Sequence, residues 1–229
     1  MQTLLPVSVL CLLLPLAASA AESLSDVLAR MDQAAKTFKS MTSQVTYVTH
    51  TDVLNENDTE TGSVTMKKVQ PGEVQGKVDF TSPDRKIITI EKRRVQEYLP
   101  KINTLQIFDL AKYGEQLDNF LRLGFGTSGT ELAMTYDVSV LGTAQLGGQN
   151  VERLQLVPKD ARMRRDYVQK VELWIPLQGD PYPLQEKIFE PSGDYRLATY
   201  ANLKINPVLP PDALELKLPP GVKTEYPGK

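Results

Sequence analysis

Hydrophobic residues recur with two different periods along the chain, and each period predicts a different kind of element. The segment that follows residue 22 shows the helical period, with apolar positions three or four residues apart and charged residues between them. Ser23 and Asp26 match the capping pair that starts a helix. We therefore predict an amphipathic helix over Ser23–Ser40. Its apolar face consists of Leu24, Val27, Leu28, Met31, Ala35 and Phe38.

From residue 44 onwards the pattern changes to short runs rich in β-branched and aromatic residues, separated by turn sequences such as Ser82-Pro83-Asp84. Several runs alternate apolar and polar positions, which is typical of strands with one buried and one solvated face. The connections are too short for crossover helices, so we predict antiparallel pairing. The predicted strands are Gln44–Thr51, Thr61–Val69, Val74–Ser82, Lys86–Ile90, Val95–Leu99, Thr104–Phe108, Val138–Leu141, Val151–Val157, Tyr167–Ile175, Leu184–Glu190, Tyr195–Leu203 and Leu214–Leu218.

One stretch in the middle of the chain interrupts the strands. Asp109–Tyr136 shows helical spacing, broken by Gly124, Gly126 and Gly129. A sheet of about a dozen strands is larger than the usual ~4–6 and tends to curl, so its apolar face forms a groove. Two short helical segments cannot cover such a groove densely. We therefore expect an interior that is only partly filled.

The N-terminal residues predict export. Leu4–Ala18 is almost wholly apolar and leads into Ala18-Ser19-Ala20, the small-residue pattern of a signal-peptidase site. This run of ~15 residues is short for a membrane span, which takes ~20. We predict a signal peptide over residues 1–20 and a single domain over residues 21–229. The sole cysteine, Cys11, lies in the predicted signal peptide, so the mature chain has no disulfide and no thiolate.

The charge balance and the scarcity of reactive side chains exclude several classes of function. The 229 residues include 26 Lys and Arg against 28 Asp and Glu, and a net charge of −2 provides no attraction to nucleic acid. His50 is the only histidine, and no Ser/His/Asp set or metal-ligand spacing is visible. We predict no enzyme activity, no catalytic residue, no metal site and no cofactor. Carboxylates are plentiful but none pair by spacing, which leaves an envelope hydrolase as a weaker alternative.

An ordered set of short motifs along the whole mature chain resembles one known family. Each motif alone is only a turn plus a strand, and the order is what makes the set specific. After the N-terminal helix, the motifs are Gly62–Lys68, Ser82-Pro83-Asp84 with Ile87-Ile88, Tyr98-Leu99-Pro100, Tyr136-Asp137-Val138, Leu154–Lys159, Val171–Ile175, Glu190–Tyr195 and Leu216–Val222. The succession resembles the LolA-like outer-membrane lipoprotein-sorting proteins, which are periplasmic lipoprotein carriers.

The resemblance implies a fold, a function and a location. The implied fold is mainly β with a few helices, in which a large curved antiparallel sheet forms an unclosed half β-barrel with a helical lid over an apolar cavity. Members of this family take acylated lipoproteins from an inner-membrane donor, shield the acyl chains and deliver them to an outer-membrane acceptor. We therefore expect a monomeric periplasmic carrier that binds acylated lipoproteins or other lipids and no nucleic acid.

Three groups of residues become candidates for the site. Apolar strand positions are expected to line the cavity, and the Asp109–Tyr136 segment is expected to open and close on its glycines. Lys68 occupies the sequence position nearest to that of the arginine that latches the lid in the family. Its ammonium is a single-point donor and would form a weaker latch than a guanidinium fork. The cavity candidates are Val45, Val64, Met66, Val78, Phe80, Ile88, Ile90 and Tyr98. The lid candidates are Leu117, Phe120, Leu121, Phe125 and Leu132.

The resemblance also provides an alternative function. Other proteins with this fold are envelope-stress sensors that detect mislocalised lipoproteins and signal to a membrane partner. Such regulators carry an additional C-terminal domain, whereas this sequence ends soon after Pro219-Pro220-Gly221. On that ground we expect a carrier rather than a sensor.

Overall fold

The computed structural model describes residues 23–70, 73–91, 94–109 and 123–227. Its first element is helix α1 (Leu24–Thr37), where the Ser23 hydroxyl accepts a hydrogen bond from the backbone N–H of Asp26 at 3.3 Å. This contact satisfies one of the free N–H groups at the start of the helix. The predicted helix is therefore present, but it ends before Ser40, because Ser40 already belongs to the first strand.

Twelve strands in the described residues form one sheet. Their spatial order is β12-β6-β5-β4-β3-β2-β1-β11-β10-β9-β8-β7, and neighbours pair antiparallel except β12 and β6, which are parallel. The two end strands do not meet, so the sheet is an unclosed half-barrel, as predicted. The strands are β1 (Ser40–Thr51), β2 (Glu56–Gln70), β3 (Glu73–Ser82), β4 (Lys86–Glu91), β5 (Arg94–Leu99), β6 (Thr104–Asp109), β7 (Tyr136–Leu146), β8 (Gln149–Pro158), β9 (Lys170–Pro176), β10 (Gln185–Phe189), β11 (Tyr195–Ile205) and β12 (Lys223–Glu225).

Two short helices and a 3₁₀ turn complete the described elements. Helix α2 (Gly129–Thr135) starts with a capping box, in which Ser128 and Glu131 satisfy each other's backbone N–H groups. Helix α3 (Ala161–Asp166) was not predicted, and the 3₁₀ turn is Pro100–Ile102. No helix within these ranges is long and apolar enough to cross a membrane.

The prediction for the last strand is wrong. Leu214–Leu218 forms no strand, and the sheet instead ends with β12 beside β6. The alternating leucines imitate a strand because Leu216 packs against the outside of the sheet, on the cluster formed by Ile87, Tyr98 and Leu105. The Nζ of Lys77 also donates to the backbone carbonyl of Glu215 at 2.8 Å. The C-terminal segment therefore covers part of the outer face.

The sheet has an inner face, against which α1 and α2 pack, and this face carries two large apolar clusters. The first lies on β7–β10 and includes Leu154, Leu173 and Ile175, with Val27 and Met31 of α1 above them. The second lies on β1–β4 and β11 and is covered in part by side chains from the end of α1 and from the loops. We call strands β7–β10 the covered half and strands β2–β5 the open half.

Candidate functional site

Cross-strand pairing brings the predicted cavity residues of the open half onto one face. Val64 of β2 faces Val78 of β3, and Val78 faces Ile88 of β4. Because opposite residues of paired strands point the same way, these side chains form a continuous apolar surface. We call the half-buried part of this surface the open strip. Its residues are Met66, Val78, Ile88, Ile90 and Val95.

The remaining cavity candidates in the centre of the sheet are more deeply buried. Val45, Val64 and Phe80 are 6%, 8% and 4% exposed and belong to the same apolar cluster as Met66, Val78 and Ile88 of the open strip. Tyr47 joins them, since its ring lies 5.9 Å from that of Phe80. These residues form the floor next to α1, and the accessible apolar surface lies farther out on the strip.

Tyr98 does not line the inner face. It pairs with Ile87, whereas Ile88 pairs with Glu97, so Tyr98 points to the opposite side of the sheet from Ile88. On the outer face, its hydroxyl donates to Oδ1 of Asn103 at 3.0 Å. The prediction failed because alternation alone does not show which face of β5 is the inner one: Val95 and Leu99 lie on one face and Tyr98 on the other.

Two of the five lid candidates lie in the described residues. Leu132 of α2 is 1% exposed and packs in the cluster of the covered half, and Phe125 is 2% exposed. The Phe125 ring stacks on Tyr182 at 6.0 Å and meets Tyr200 edge-on at 5.2 Å. Both side chains cover the inner face. The other three candidates, Leu117, Phe120 and Leu121, lie outside the described residues.

The glycines on either side of Phe125 are packing positions. Gly126 has φ +79°, and a Cβ there would lie 2.8 Å from the Phe38 ring, while one at Gly124 would overlap Pro183. A side chain would therefore be strained and crowded at both sites. The N-terminus of α2 is also tied to α1, because Thr130 donates to Asp32 from its backbone N–H (2.9 Å) and its hydroxyl (3.0 Å). In the structure, this end of the predicted lid is docked on α1.

Lys68, the predicted latch, holds α1. Its Nζ donates to the backbone carbonyl of Ala35 at 3.1 Å, in the last turn of the helix. Its backbone N–H donates to the carbonyl of Lys39 at 2.8 Å. A cation at this end of a helix interacts favourably with the free carbonyls and the helix dipole. Lys68 therefore fixes the end of a covering helix to strand β2, next to Met66.

A charged group lies at one end of the open half. The Nζ of Lys86 is 2.7 Å from an oxygen of Glu60 and 4.0 Å from one of Glu97. The same ammonium lies 4.9 Å from the centre of the Phe80 ring. These three charged residues have inner-face positions in the pairing register, so the apolar surface ends there in a polar border.

Glu186 on β10 was not among the predicted site residues. It is 8% exposed, and burial raises its pKa to about 8. Its place was detectable, because Leu184, Glu186 and Ile188 share one face of a strand and only the middle one is charged. An acidic residue between two aliphatic ones on the same face indicates either that the strand turns its other face inward or that the carboxyl group is buried.

The described residues hold no arrangement suited to metal binding, since no three His, Cys, Asp or Glu side chains come together there. His50 is held by neighbours: its Nδ1 lies 2.9 Å from Oδ1 of Asn57, and its ring stacks on Tyr195 at 4.5 Å. The inner face therefore provides apolar area, two buried carboxyl groups (Glu152 and Glu186) and a charged border.

Comparisons with known proteins bear on the fold. No protein-family model and no curated protein matches the chain. Among solved structures, an uncharacterized conserved protein from Thermus thermophilus matches with 16% identity and a TM-score of 0.53, over 90% of this chain and 99% of that one. MucB of Pseudomonas aeruginosa matches with 18% identity and a TM-score of 0.50, over 84% of this chain and 62% of that one.

A LolA superfamily protein from Nitrosomonas europaea matches with 16% identity and a TM-score of 0.41, over 86% of this chain and 99% of that one. Likeness at such identities concerns the fold alone. The sheet order and the helices on the inner face agree with the fold that the sequence motifs implied. The chain is therefore an unclosed antiparallel half-barrel with helices on its inner face.

Proposed function

We propose that the protein is a periplasmic carrier that binds the acyl chains of lipoproteins, or of other lipids, on the open strip. The observation that carries the proposal is the unequal coverage of one apolar face. Leu154 and Leu173 in the covered half are 0% exposed, whereas Val78 and Ile88 in the open half are half-buried. An accessible apolar surface with a polar border is the usual character of a lipid-binding or ligand-binding groove.

The dimensions of the open half suit an acyl chain. Strand β3 has ten residues and spans ~33 Å at ~3.3 Å per residue. The four strands β2–β5 are ~14 Å across at a spacing of ~4.8 Å. One leaflet of membrane hydrocarbon is ~15 Å thick. The surface is therefore long enough and wide enough for at least one chain.

Partial coverage agrees with the exchange that a carrier needs. Burial of one methylene contributes ~0.8 kcal/mol, so full enclosure of one sixteen-carbon chain would contribute about 12 kcal/mol. That corresponds to a nanomolar dissociation constant for one chain and to far tighter binding for several. A half-covered strip would bind more weakly, so that cargo from an inner-membrane donor protein could pass to an outer-membrane acceptor.

The proposal is tested by a charge placed on the strip and a control charge on the other face. In Val78→Glu the new carboxylate lies on the open strip, and in Ser63→Glu it lies on the exposed outer side of β2. We expect Val78→Glu to weaken binding of a fluorescent fatty-acyl probe at least tenfold and Ser63→Glu to leave it unchanged, because only the first charge must be desolvated by the ligand. Equal binding by both variants would refute the site.

The cargo is identified by mass spectrometry of the protein purified from the cell envelope, followed by extraction of the bound molecules. Acylated peptides or lipids support the carrier. The sensor alternative uses the same groove but does not pass the cargo on. A transfer assay with an acylated lipoprotein separates them, because a carrier releases its cargo to acceptor membranes or proteins, whereas a sensor binds it and signals.

A further inference from the structure

The outer face of the covered half carries a group of cations that the proposed function does not use. Strands β8, β9 and β10 hold six charged residues. Glu152 pairs with Ile175 and Glu186 pairs with Leu173, so both point to the inner face. The residues that point outward are Arg153, Lys170, Glu172 and Lys187. On these strands the outer face therefore carries three cations against one carboxylate.

Each of the three outward cations lies close to an aromatic ring. The guanidinium of Arg153 is 5.4 Å from the centre of the Trp174 ring. The Nζ atoms of Lys170 and Lys187 lie 4.3 Å and 4.7 Å from the centre of one ring, that of Phe189. Such contacts occur about once in 70–80 residues, so their density on three neighbouring strands is unusual. All five side chains are half-buried and therefore reach solvent.

Lys187 makes no ion pair with a carboxylate in the described part of the chain. The outward carboxylate of these strands, Glu172, has one oxygen 2.8 Å from Nζ of Lys170 and the other 2.9 Å from a guanidinium nitrogen of Arg153. The Nζ of Lys187 instead lies 3.6 Å from the centre of the Tyr195 ring. Burial lowers the pKa of the Lys187 ammonium, and Lys170 lowers it further although Glu172 acts in the opposite direction. Positive charge is therefore in excess here.

These side chains form one surface, which we call the outer patch, and its charge requires an anionic partner. The guanidinium of Arg153, which could grip a protein carboxylate with two parallel bonds, is already held by Glu172. The available donors are lysine ammonium groups, which act as point charges and need no fixed geometry. Aromatic rings beside them are favoured where one side is apolar and the other is wet, as at lipid headgroups. The outer patch consists of Arg153, Lys170, Lys187, Trp174, Phe189 and Tyr195.

The whole chain has a net charge of −2, so its attraction to an anionic membrane depends on which face approaches. Each lysine close to such a surface contributes about a fivefold increase in affinity. A few cations therefore give a weak and reversible attachment. The outer patch lies on the opposite face of the sheet from the open strip, so attachment through it leaves the strip uncovered.

We propose that the outer patch is a docking surface for the phosphate headgroups of an anionic membrane, in which Lys187 and Lys170 contact the phosphate oxygens. The inference goes beyond the proposed function, because docking through the outer face needs neither the open strip nor a cargo. Failure of acyl binding would leave it standing, and its own failure would leave the carrier proposal standing.

The first test uses Trp174, which is the only tryptophan of the sequence and belongs to the outer patch. Wild-type protein is mixed with phosphatidylcholine vesicles that contain about 30% phosphatidylglycerol and a lipid with a nitroxide on its headgroup. We expect the nitroxide to quench the tryptophan fluorescence, and to quench it less when it is placed deep in the acyl chain. Failure to sediment with these vesicles at low salt would overturn the proposal, and so would sedimentation without quenching, because another face would then bind.

The second test compares Lys187→Gln with Lys36→Gln, which removes the same charge from an exposed position on α1. Lys187→Gln should weaken binding to the anionic vesicles about fivefold, and Lys36→Gln should leave it unchanged. Wild-type binding should weaken as salt is added, since exposed charges are screened. Vesicles of phosphatidylcholine alone should bind about tenfold more weakly than the anionic ones. Equal binding to both kinds of vesicle, or equal losses in the two variants, would overturn the proposal.

Polyglutamate tests an acidic protein as the occupant of the same surface. We expect it to bind the wild type more weakly than the anionic vesicles do, because carboxylates alone do not provide a headgroup layer for the aromatic rings. Tighter binding of polyglutamate that is lost in Lys187→Gln would overturn the membrane as the partner and would assign the outer patch to an acidic protein.

Discussion

Aliphatic residues line both halves of the inner face, but the two halves differ in how far helices and loops cover them. In the covered half, Leu154, Leu173 and Ile175 are 0% exposed beneath α1 and α2. In the open half, Val78 and Ile88 have equivalent inward positions and remain half-buried. The comparison shows that the strands alone do not decide whether an apolar face becomes a solid core. The placement of the helices and loops decides it.

The largest expected effect comes from the same truncation made in both halves. Ile175→Ala removes buried atoms from a fully covered position, so we expect a loss of about 2–5 kcal/mol in the free energy of unfolding. Ile88→Ala removes a half-buried side chain, and we expect about 1 kcal/mol. Urea unfolding of the two variants measures the difference. Equal losses would show that the open half is packed as tightly as the covered half.

A second prediction concerns the boundary between the halves, where Glu186 lies. Its pKa is raised from 4.5 to about 8 in the folded protein, so above about pH 4.5 the folded state binds a proton that the unfolded chain has lost. Stability should therefore fall by roughly 2–4 kcal/mol between pH 5 and pH 8. Glu186→Gln should remove this part of the pH dependence and be more stable than the wild type at pH 8. An identical pH profile for both proteins would contradict the burial of the carboxyl group.

The packing of the turn around Gly126 against the end of α1 is tested at two glycines with nearly the same backbone conformation. Gly126 has φ +79° beside the Phe38 ring, and Gly179 has φ +81° with open space around it. Alanine is strained at both, but only at Gly126 does its methyl group also meet a side chain. We expect Gly126→Ala to be about 1–2 kcal/mol less stable than Gly179→Ala. Equal thermal stability of the two variants would show that this turn is loosely packed on α1.

The smallest expected effect concerns Lys68, which holds the end of α1. Lys68→Met removes the hydrogen bond to Ala35 and should cost about 1 kcal/mol. Lys67→Met is the matched control, because Lys67 is exposed on the other face of the same strand. It should be close to neutral. Faster amide hydrogen exchange in the last turn of α1 should accompany the loss in Lys68→Met, and unchanged exchange there would contradict the role of Lys68.

Most of the fold could be predicted from local patterns. Runs of β-branched and aromatic residues between turn sequences located eleven of the twelve strands in the described residues, and short connections predicted their antiparallel pairing. The parallel strand β12 could not be predicted, because nothing in Lys223–Glu225 specifies a partner 119 residues away at β6. The helix α3 is too short to show a period.

The candidate site was predicted less completely, for two physical reasons. Tyr98 was wrongly assigned to the inner face. Alternation along β5 does not show which face is the inner one, and only the packing of Leu216 and Val222 shows that Tyr98 lies on the outer one. Glu186 was missed because a charge in a strand is usually solvated. Its neighbour Tyr200 lies on another strand, so the sequence signal is limited to a single charge between Leu184 and Ile188 on one strand face.

The central claim, that the open half receives an acyl chain, is tested most directly by nuclear magnetic resonance with a palmitoyl ester that carries a nitroxide at the far end of its chain. The nitroxide broadens the signals of nearby methyl groups. The account predicts the strongest broadening at Val78 and Ile88, with much weaker effects at Ile175 and at Ile87 on the outer face. The strongest broadening at Ile87, or methyl signals that stay unchanged throughout the titration, would contradict this account.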